Sequence, residues 1–305
     1  MNRTKTPLAL AVCAALFSLA ACGGGGDPLA TDTEREADSG TIVVGSADFT
    51  ENVLLAEIYA GALEAKGVKV DTTLNIGSRE AYIPALQDGS IDLIPEYTGV
   101  LAAYFNEDAS ATEPDAVYEE LKAALPDGLA VLDKSDAEDK DAIAVTQETA
   151  DQYGLTSISD LAKVAGDLTL GGPPEWKTRR IGVKGLEELY GAEFKSFRAL
   201  DAGGPLTVQA LKNGQVDAAD LFTTDPNIAA NGFVVLTDPE NLFAAENVVP
   251  LIAESKLSDT VSDTLNQVSA ELSTETLLAL MQRVVIDKED AADVAADFLS
   301  EHGLA

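Results

Sequence analysis

Ala85-Leu86-Gln87-Asp88-Gly89-Ser90-Ile91-Asp92, leading on to Tyr97-Thr98, returns far down the chain as Ala210-Leu211-Lys212-Asn213-Gly214-Gln215-Val216-Asp217, leading on to Phe222-Thr223. In each copy a helical run ends at a glycine placed where a helix terminus needs a left-handed residue, and a short strand beginning at Ile91 or Val216 follows. The aromatic-Thr pair falls at the strand exit in both. Upstream, Thr41-Ile42-Val43-Val44-Gly45-Ser46 and Leu168-Thr169-Leu170-Gly171-Gly172 are β-type runs that break at glycine. Gly45 to Tyr97 spans 52 positions and Gly171 to Phe222 spans 51. Two motifs that hold register over that distance describe a duplicated unit and hence two similar lobes; a chance likeness between two βα units is the competing explanation.

Outward from these copies, strands alternate with helical stretches. Glu51 to Lys66 carries apolar residues at helical spacing and stops at Gly67, before a strand over Val68 to Leu74. Further helices are expected at Tyr118 to Leu125, Ile158 to Val164, Gly185 to Tyr190, Leu206 to Leu211, Ser258 to Ser273, Thr276 to Val285 and Glu289 to Leu299. Strands are expected at Val234 to Leu236 and Val248 to Ile252. The fold class is α/β, with mostly parallel sheets flanked by helices. Ligands of such sheets collect beyond strand C-termini, so two facing lobes would put the loops after Val44 and Leu170 and both aromatic-Thr pairs on one cleft.

The 305 residues, 46% of them apolar, allow two domains of ordinary size. With 52 Asp and Glu against 20 Lys and Arg, no basic surface exists to displace counterions from nucleic acid. The single histidine, His302, and the two cysteines, Cys13 and Cys22, leave no Ser-His-Asp or Cys-His catalysis and no zinc site. No metal, cofactor or catalytic residue is expected. The acidity suits either a saline habitat, where salt screens self-repulsion, or a merely acidic exported protein.

Arg3 and Lys5 precede an apolar run from Pro7 to Ala21, too short to span a bilayer, that ends in Leu19-Ala20-Ala21-Cys22. Residues 1–21 read as an export signal. The small residues before Cys22 resemble a bacterial lipobox, which implies cleavage before Cys22 and a lipid on it; an ordinary secretory signal is the alternative. Gly23 to Gly26 and the polar stretch to Gly40 make 22–40 a flexible tether, so the folded body is expected outside the cytoplasm, held at the cell membrane.

At this point the chain, from Thr41 to its C-terminus, resembles the substrate-binding lipoproteins of ABC importers for glycine betaine, choline and related osmoprotectants. The likeness rests on Val44-Gly45-Ser46 with Phe49-Thr50-Glu51, Pro95-Glu96-Tyr97-Thr98-Gly99, Gly171-Gly172-Pro173-Pro174-Glu175 with Arg179, Asp201-Ala202-Gly203-Gly204-Pro205-Leu206-Thr207, and Thr223-Thr224-Asp225. It implies the type II periplasmic-binding-protein fold. One lobe would comprise 41–142 plus 236–305 and the other 143–235, with chain crossings near 142 and 236. It also implies an aromatic cage for a quaternary ammonium and an arginine for a carboxylate. Tyr97 matches one cage tyrosine, Phe222 stands for another, and Arg179 matches the arginine. Asp141 and Glu246 fall where cage tyrosines are common, while Ala47 and Val100 also depart from the family pattern.

The expected ligand-contact set is Ser46, Tyr97, Thr98, Asp141, Trp176, Arg179, Phe222, Thr223 and Glu246. The bland readings stand beside it. Tyr97 and Phe222 could be core aromatics, Arg179 a solvated surface residue, and Trp176 a packing anchor as readily as a cleft wall. Asp141 belongs to the acidic run Asp133 to Asp141, for which a solvated loop is the default. The expected function is capture of a quaternary ammonium or related osmoprotectant and delivery to a membrane permease by a monomeric binding protein. The same role for an amino acid or polyamine is the alternative. An enzyme built on a carboxylate pair such as Asp92 and Glu96 is a further one, as is a surface protein that senses through another receptor. Carboxylates in place of cage rings would shift preference toward cations that carry N–H groups.

Overall fold

The computed structural model describes residues 40–305. The expected export signal over 1–21, Cys22 and all of the expected tether except Gly40 lie outside the described residues. Ten strands follow in chain order: β1 Thr41–Gly45, β2 Lys69–Thr73, β3 Leu93–Tyr97, β4 Leu129–Val131, β5 Asp141–Thr146, β6 Thr169–Gly172, β7 Ser196–Ala199, β8 Ala218–Phe222, β9 Phe233–Val235 and β10 Val248–Ala253. They form two five-stranded sheets, ordered β2-β1-β3-β10-β4 and β7-β6-β8-β5-β9. Read position by position the two orders match, so the duplication seen in sequence extends to the whole sheet.

Its molecular signature is at Asp92 and Asp217. Asp92 Oδ2 accepts the amide of Val43 at 2.9 Å, and Asp217 Oδ2 accepts the amide of Thr169 at 2.7 Å. The backbone amides of the same two aspartates return to the carbonyls of Val43 and Thr169. Two residues on, Gly45 and Gly171 lie where a Cβ would stand 2.6 Å from Ile91 and 3.0 Å from Val216. Both aspartates are therefore strand-locking residues. Glu96 is held by Arg79, so no carboxylate pair of catalytic type exists at 92 and 96.

Each sheet is mixed: four of its five strands run one way, as expected for a mostly parallel sheet, and one runs against them. β1 pairs in parallel with β2 and β3, and β6 with β7 and β8, whereas β10 runs antiparallel to β3 and β4 and β5 antiparallel to β8 and β9. The antiparallel member is in each case the strand that follows a crossing from the other sheet, and it enters without the βα crossover that would make it parallel. The two crossings run side by side, joined by the bridge between Glu138 and Asn247 and by the Asp139 amide on the Glu246 carbonyl at 3.1 Å. The first thus comes just before the expected position, since Asp141 already pairs in the second sheet. The second comes later than 236, because Leu236, Leu242 and Phe243 pack in the second sheet's core. Val234 and its neighbours form that sheet's edge strand and not the way out.

Helices bury the sheet faces. α1, Thr50–Ala65, puts Leu54, Leu55, Ile58, Ala62 and Leu63 fully inside the first core. α2, Arg79–Gln87, and α3, Thr98–Phe105, follow β2 and β3 and bring their N-termini to the strand ends. Among the described residues no helix is long and apolar enough to cross a membrane.

Candidate functional site

A cavity opens where β3 and β8 end, facing each other across the crossings, and encloses about 630 Å³ of empty space, part of it open to solvent. Phe49, the residue before α1, places its ring between those of Tyr97 and Phe222, at centroid distances of 6.1 and 5.1 Å. The Tyr97 hydroxyl donates to Glu51 Oε1 at 2.8 Å, which fixes the ring. Tyr82 and Trp176 also line the cavity.

Carboxylates supply the rest of the lining. Asp141 lies directly opposite Phe222 across the β5–β8 ladder, and Asp220, two residues before Phe222, shares its face. Asp220 fits because its neighbour in β6 is Gly172, where a Cβ would stand 3.3 Å from both Asp220 and the Trp176 ring. Glu246, on the second crossing, accepts the amides of Gly99 and Val100 on Oε2, each at 2.9 Å, and so caps α3 from far along the chain. Its Oε1, and Oδ1 of Asp220, are buried without a hydrogen-bond partner.

The two arginines of the cavity are both engaged. Arg79 holds Glu96 through Nε and Nη2, both at 2.7 Å, in a pair buried from water. Burial disfavours the guanidinium, yet the charge of Glu96 outweighs it and holds the Arg79 pKa well above its ordinary value. Arg179 reaches across to α2 and grips Glu80 through Nε at 3.0 Å and Nη2 at 2.8 Å. Burial opposes ionisation of Glu80, but the Arg179 and Ser78 hydrogen bonds prevail and bring its pKa down to about 2. Deeper in, Thr224 donates to Glu51 Oε2 and its amide to Asp139 Oδ1 at 3.0 Å.

Electrostatically the cavity is an excess of carboxylate. Burial pushes Asp141 up to about 6, with the charge of Arg179 and the Trp176 indole acting the other way. Burial likewise raises Asp220 and Glu246, the charge of Asp141 adding to both, and raises Asp139, where Glu51 adds. A folded carboxyl with a raised pKa holds a proton that the unfolded chain releases, so stability falls as pH rises through the window between the two pKa values. For Asp141 that window runs from its ordinary 3.8 to about 6. Solute-free protein should therefore melt higher at pH 5 than at pH 7. Asp141→Asn should remove at most about 1 kcal/mol of that difference, a figure reduced for the side chain's partial exposure. Calorimetry on both proteins checks it, and equal slopes would assign the effect to general surface repulsion instead.

Of the expected residues, Tyr97, Asp141, Trp176, Arg179, Phe222 and Glu246 line this one cavity, and Ser46, Thr98 and Thr223 do not. Ser46 is fully buried, donates to the Ala47 carbonyl and accepts the Asn75 amide. Thr98 donates to the Ala245 carbonyl and accepts the Asn247 amide, and Thr223 accepts the Lys140 amide and donates to Asp139. These three hold the loops and crossings. Arg179 is in place, but its fork is turned to Glu80. Trp176 is both anchor and wall: it is 1% exposed, belongs to the second core, and stacks on Phe243. Asp139, expected on a solvated loop, is buried at the crossing.

Sequence reading missed Phe49, Arg79, Tyr82 and Asp220. Phe49 stood in a quoted motif without a role. Asp220 had no signal, because the equivalent position of the first copy is Pro95.

The profile of the substrate-binding domain of ABC-type glycine betaine transport systems matches residues 40–301. The glycine-betaine-binding protein of Pseudomonas aeruginosa is 30% identical, over 100% of this chain and 96% of that protein. The glycine betaine-binding protein YehZ of Escherichia coli is 30% identical over 86% of this chain and 90% of its own length. Among solved structures, a glycine betaine/carnitine/choline ABC transporter protein superposes with a TM-score of 0.67 at 24% identity, covering 86% of this chain and 99% of that one. That likeness shows the two-lobed fold.

Proposed function

The chain belongs to the family of substrate-binding domains of ABC-type glycine betaine transport systems, and on that footing we propose that its solute is a small cationic or zwitterionic amine held in the cavity between the two sheets. Members of this family are extracytoplasmic binding proteins that serve the permease of an ABC importer, and the chain is accordingly a substrate-binding protein and not an enzyme. The contact set we assign is Tyr97, Phe222, Phe49, Asp141, Asp220, Glu246 and Trp176, with Arg179 at the mouth. The observation that carries the reading is the convergence of the Phe49, Tyr97 and Phe222 rings and the Asp141, Asp220 and Glu246 carboxylates on one cavity whose arginines are already paired. Ring faces and carboxylates both favour a cation, at roughly 0.5 to 2 kcal/mol for a ring.

We assign the lobes to residues 41–140 plus 244–305 and 141–243, a monomeric state, and lipid attachment at Cys22, supported by the small residues before it. A thermal-shift screen of glycine betaine, choline, carnitine, basic amino acids and polyamines tests the reading. At least one should raise the melting temperature by the amount that selective binding to the native state requires. Silence across the panel would overturn it. Cys22→Ala should move the protein out of the membrane fraction with its binding intact.

A further inference from the structure

Asp220 and Glu246 are each 1% exposed, and each leaves one carboxylate oxygen without a partner among the described residues. They come to the cavity from different places: Asp220 from β8 of the second sheet, Glu246 from the crossing that leads into β10 of the first. Asp141 stands near enough to both for its charge to act on each. No lysine lines the cavity, and the forks of Arg79 and Arg179 are closed on Glu96 and Glu80. The surroundings thus supply no donor to the two free oxygens, and the positive charges nearest them, Arg179 toward Asp220 and Arg79 toward Glu246, are already shared with Glu80 and Glu96.

A buried acceptor without a donor is costly, and the cost is recovered only by a group that donates. A trimethylammonium brings charge but no N–H, so it would seal both oxygens away from water unpaired. An ammonium, amidinium or guanidinium brings charge and donors together. We propose that the solute selected by this cavity is an organic cation with N–H donors, bound between Asp220 and Glu246, in preference to a fully methylated ammonium. Phe49, Tyr97 and Phe222 then cover the hydrocarbon part and the ammonium's flank. This rests on the cavity being the solute site, as proposed above.

The test is calorimetric titration of the full chain with pairs that differ only in N-methylation: ethanolamine against choline, 4-aminobutyrate against its trimethylated form, methylguanidinium against hexamethylguanidinium. The N–H member should bind about 10- to 100-fold tighter, the range for hydrogen bonds to a charged group, and Asp220→Asn should reduce that ratio toward one. Should Asp220→Asn not fold, Glu246→Gln gives the same readout, since its amide oxygen still caps α3. Equal or tighter binding of the methylated members, or a ratio unmoved by the substitution, overturns this inference and leaves the cavity as the solute site. Failure of both members of every pair, together with glycine betaine, carnitine and polyamines, overturns the proposed function and this inference with it.

Discussion

Arg79→Met should lower stability by about 3–5 kcal/mol, the cost of removing one partner from a buried ion pair. Glu96 is wholly buried and both of its oxygens face Arg79; Tyr82 donates to Oε1 at 2.7 Å and the Tyr97 amide to Oε2 at 3.0 Å. Two neutral donors would remain around an uncompensated charge. The pair stands under the cavity floor, at the start of α2 and the end of β3, so Tyr97 should lose its position as well. Urea unfolding measures the loss. The double variant Arg79→Met, Glu96→Leu should regain most of it, because removing both charges also removes the desolvation penalty. A single-variant loss below about 1 kcal/mol would mean that the Glu96 carboxylate finds water when Arg79 is gone.

Trp176→Ala should cost about 3–5 kcal/mol, the range for emptying a large aromatic site in a core, and should weaken solute binding as well. The ring stacks on Phe243 at 6.4 Å between centroids, lines the cavity, and directs Nε1 to Asp141 Oδ2 at 3.4 Å. The backbone is built around it: a Cβ at Gly182 would stand 2.3 Å from the Trp176 carbonyl oxygen. Trp176→Phe keeps much of the packing and drops the donor to Asp141, so it separates the two roles. It should recover most of the stability in urea unfolding followed by circular dichroism, while titration still shows weakened binding. Recovery of binding by phenylalanine would assign Trp176 a packing role alone.

Much of the architecture was legible before any coordinates. The paired copies around Gly89 and Gly214 fixed two equivalent units, because a strand-helix-strand turn needs the same residue types wherever it occurs. Many of the elements followed from periodicity and caps, but the strands Leu129–Val131, Asp141–Thr146 and Ser196–Ala199 did not. The helix expected at Ser258 begins with the Ser258 side chain accepting the Val261 amide, and Ser273 does the same for the Thr276 amide. That Tyr97 and Phe222 line one cavity was legible because they end equivalent strands. Local pattern misled where a residue's neighbours come from elsewhere in the chain. Ser46, Thr98 and Thr223 have the chemistry of ligand donors but spend it on adjoining loops and crossings, Ser46 and Thr98 on backbone carbonyls and Thr223 on the Asp139 carboxylate.

What the sequence by itself determined is therefore the duplication, most of the longer helices and the strands of the two copies, the cleft at the strand ends and the exclusion of histidine or cysteine catalysis. These follow from chain-local requirements of turn, cap and period, and from which side chains are present at all. Tertiary structure alone decided that β10 and β5 each enter their own sheet antiparallel, that Arg79 is spent on Glu96 and Arg179 on Glu80, and that Asp220 and Glu246 meet one cavity with free oxygens. A charge's role depends on which opposite charge folding brings within a few ångströms and how much water it leaves there. Those distances are set by sheet pairing between segments remote in sequence, which no local pattern encodes.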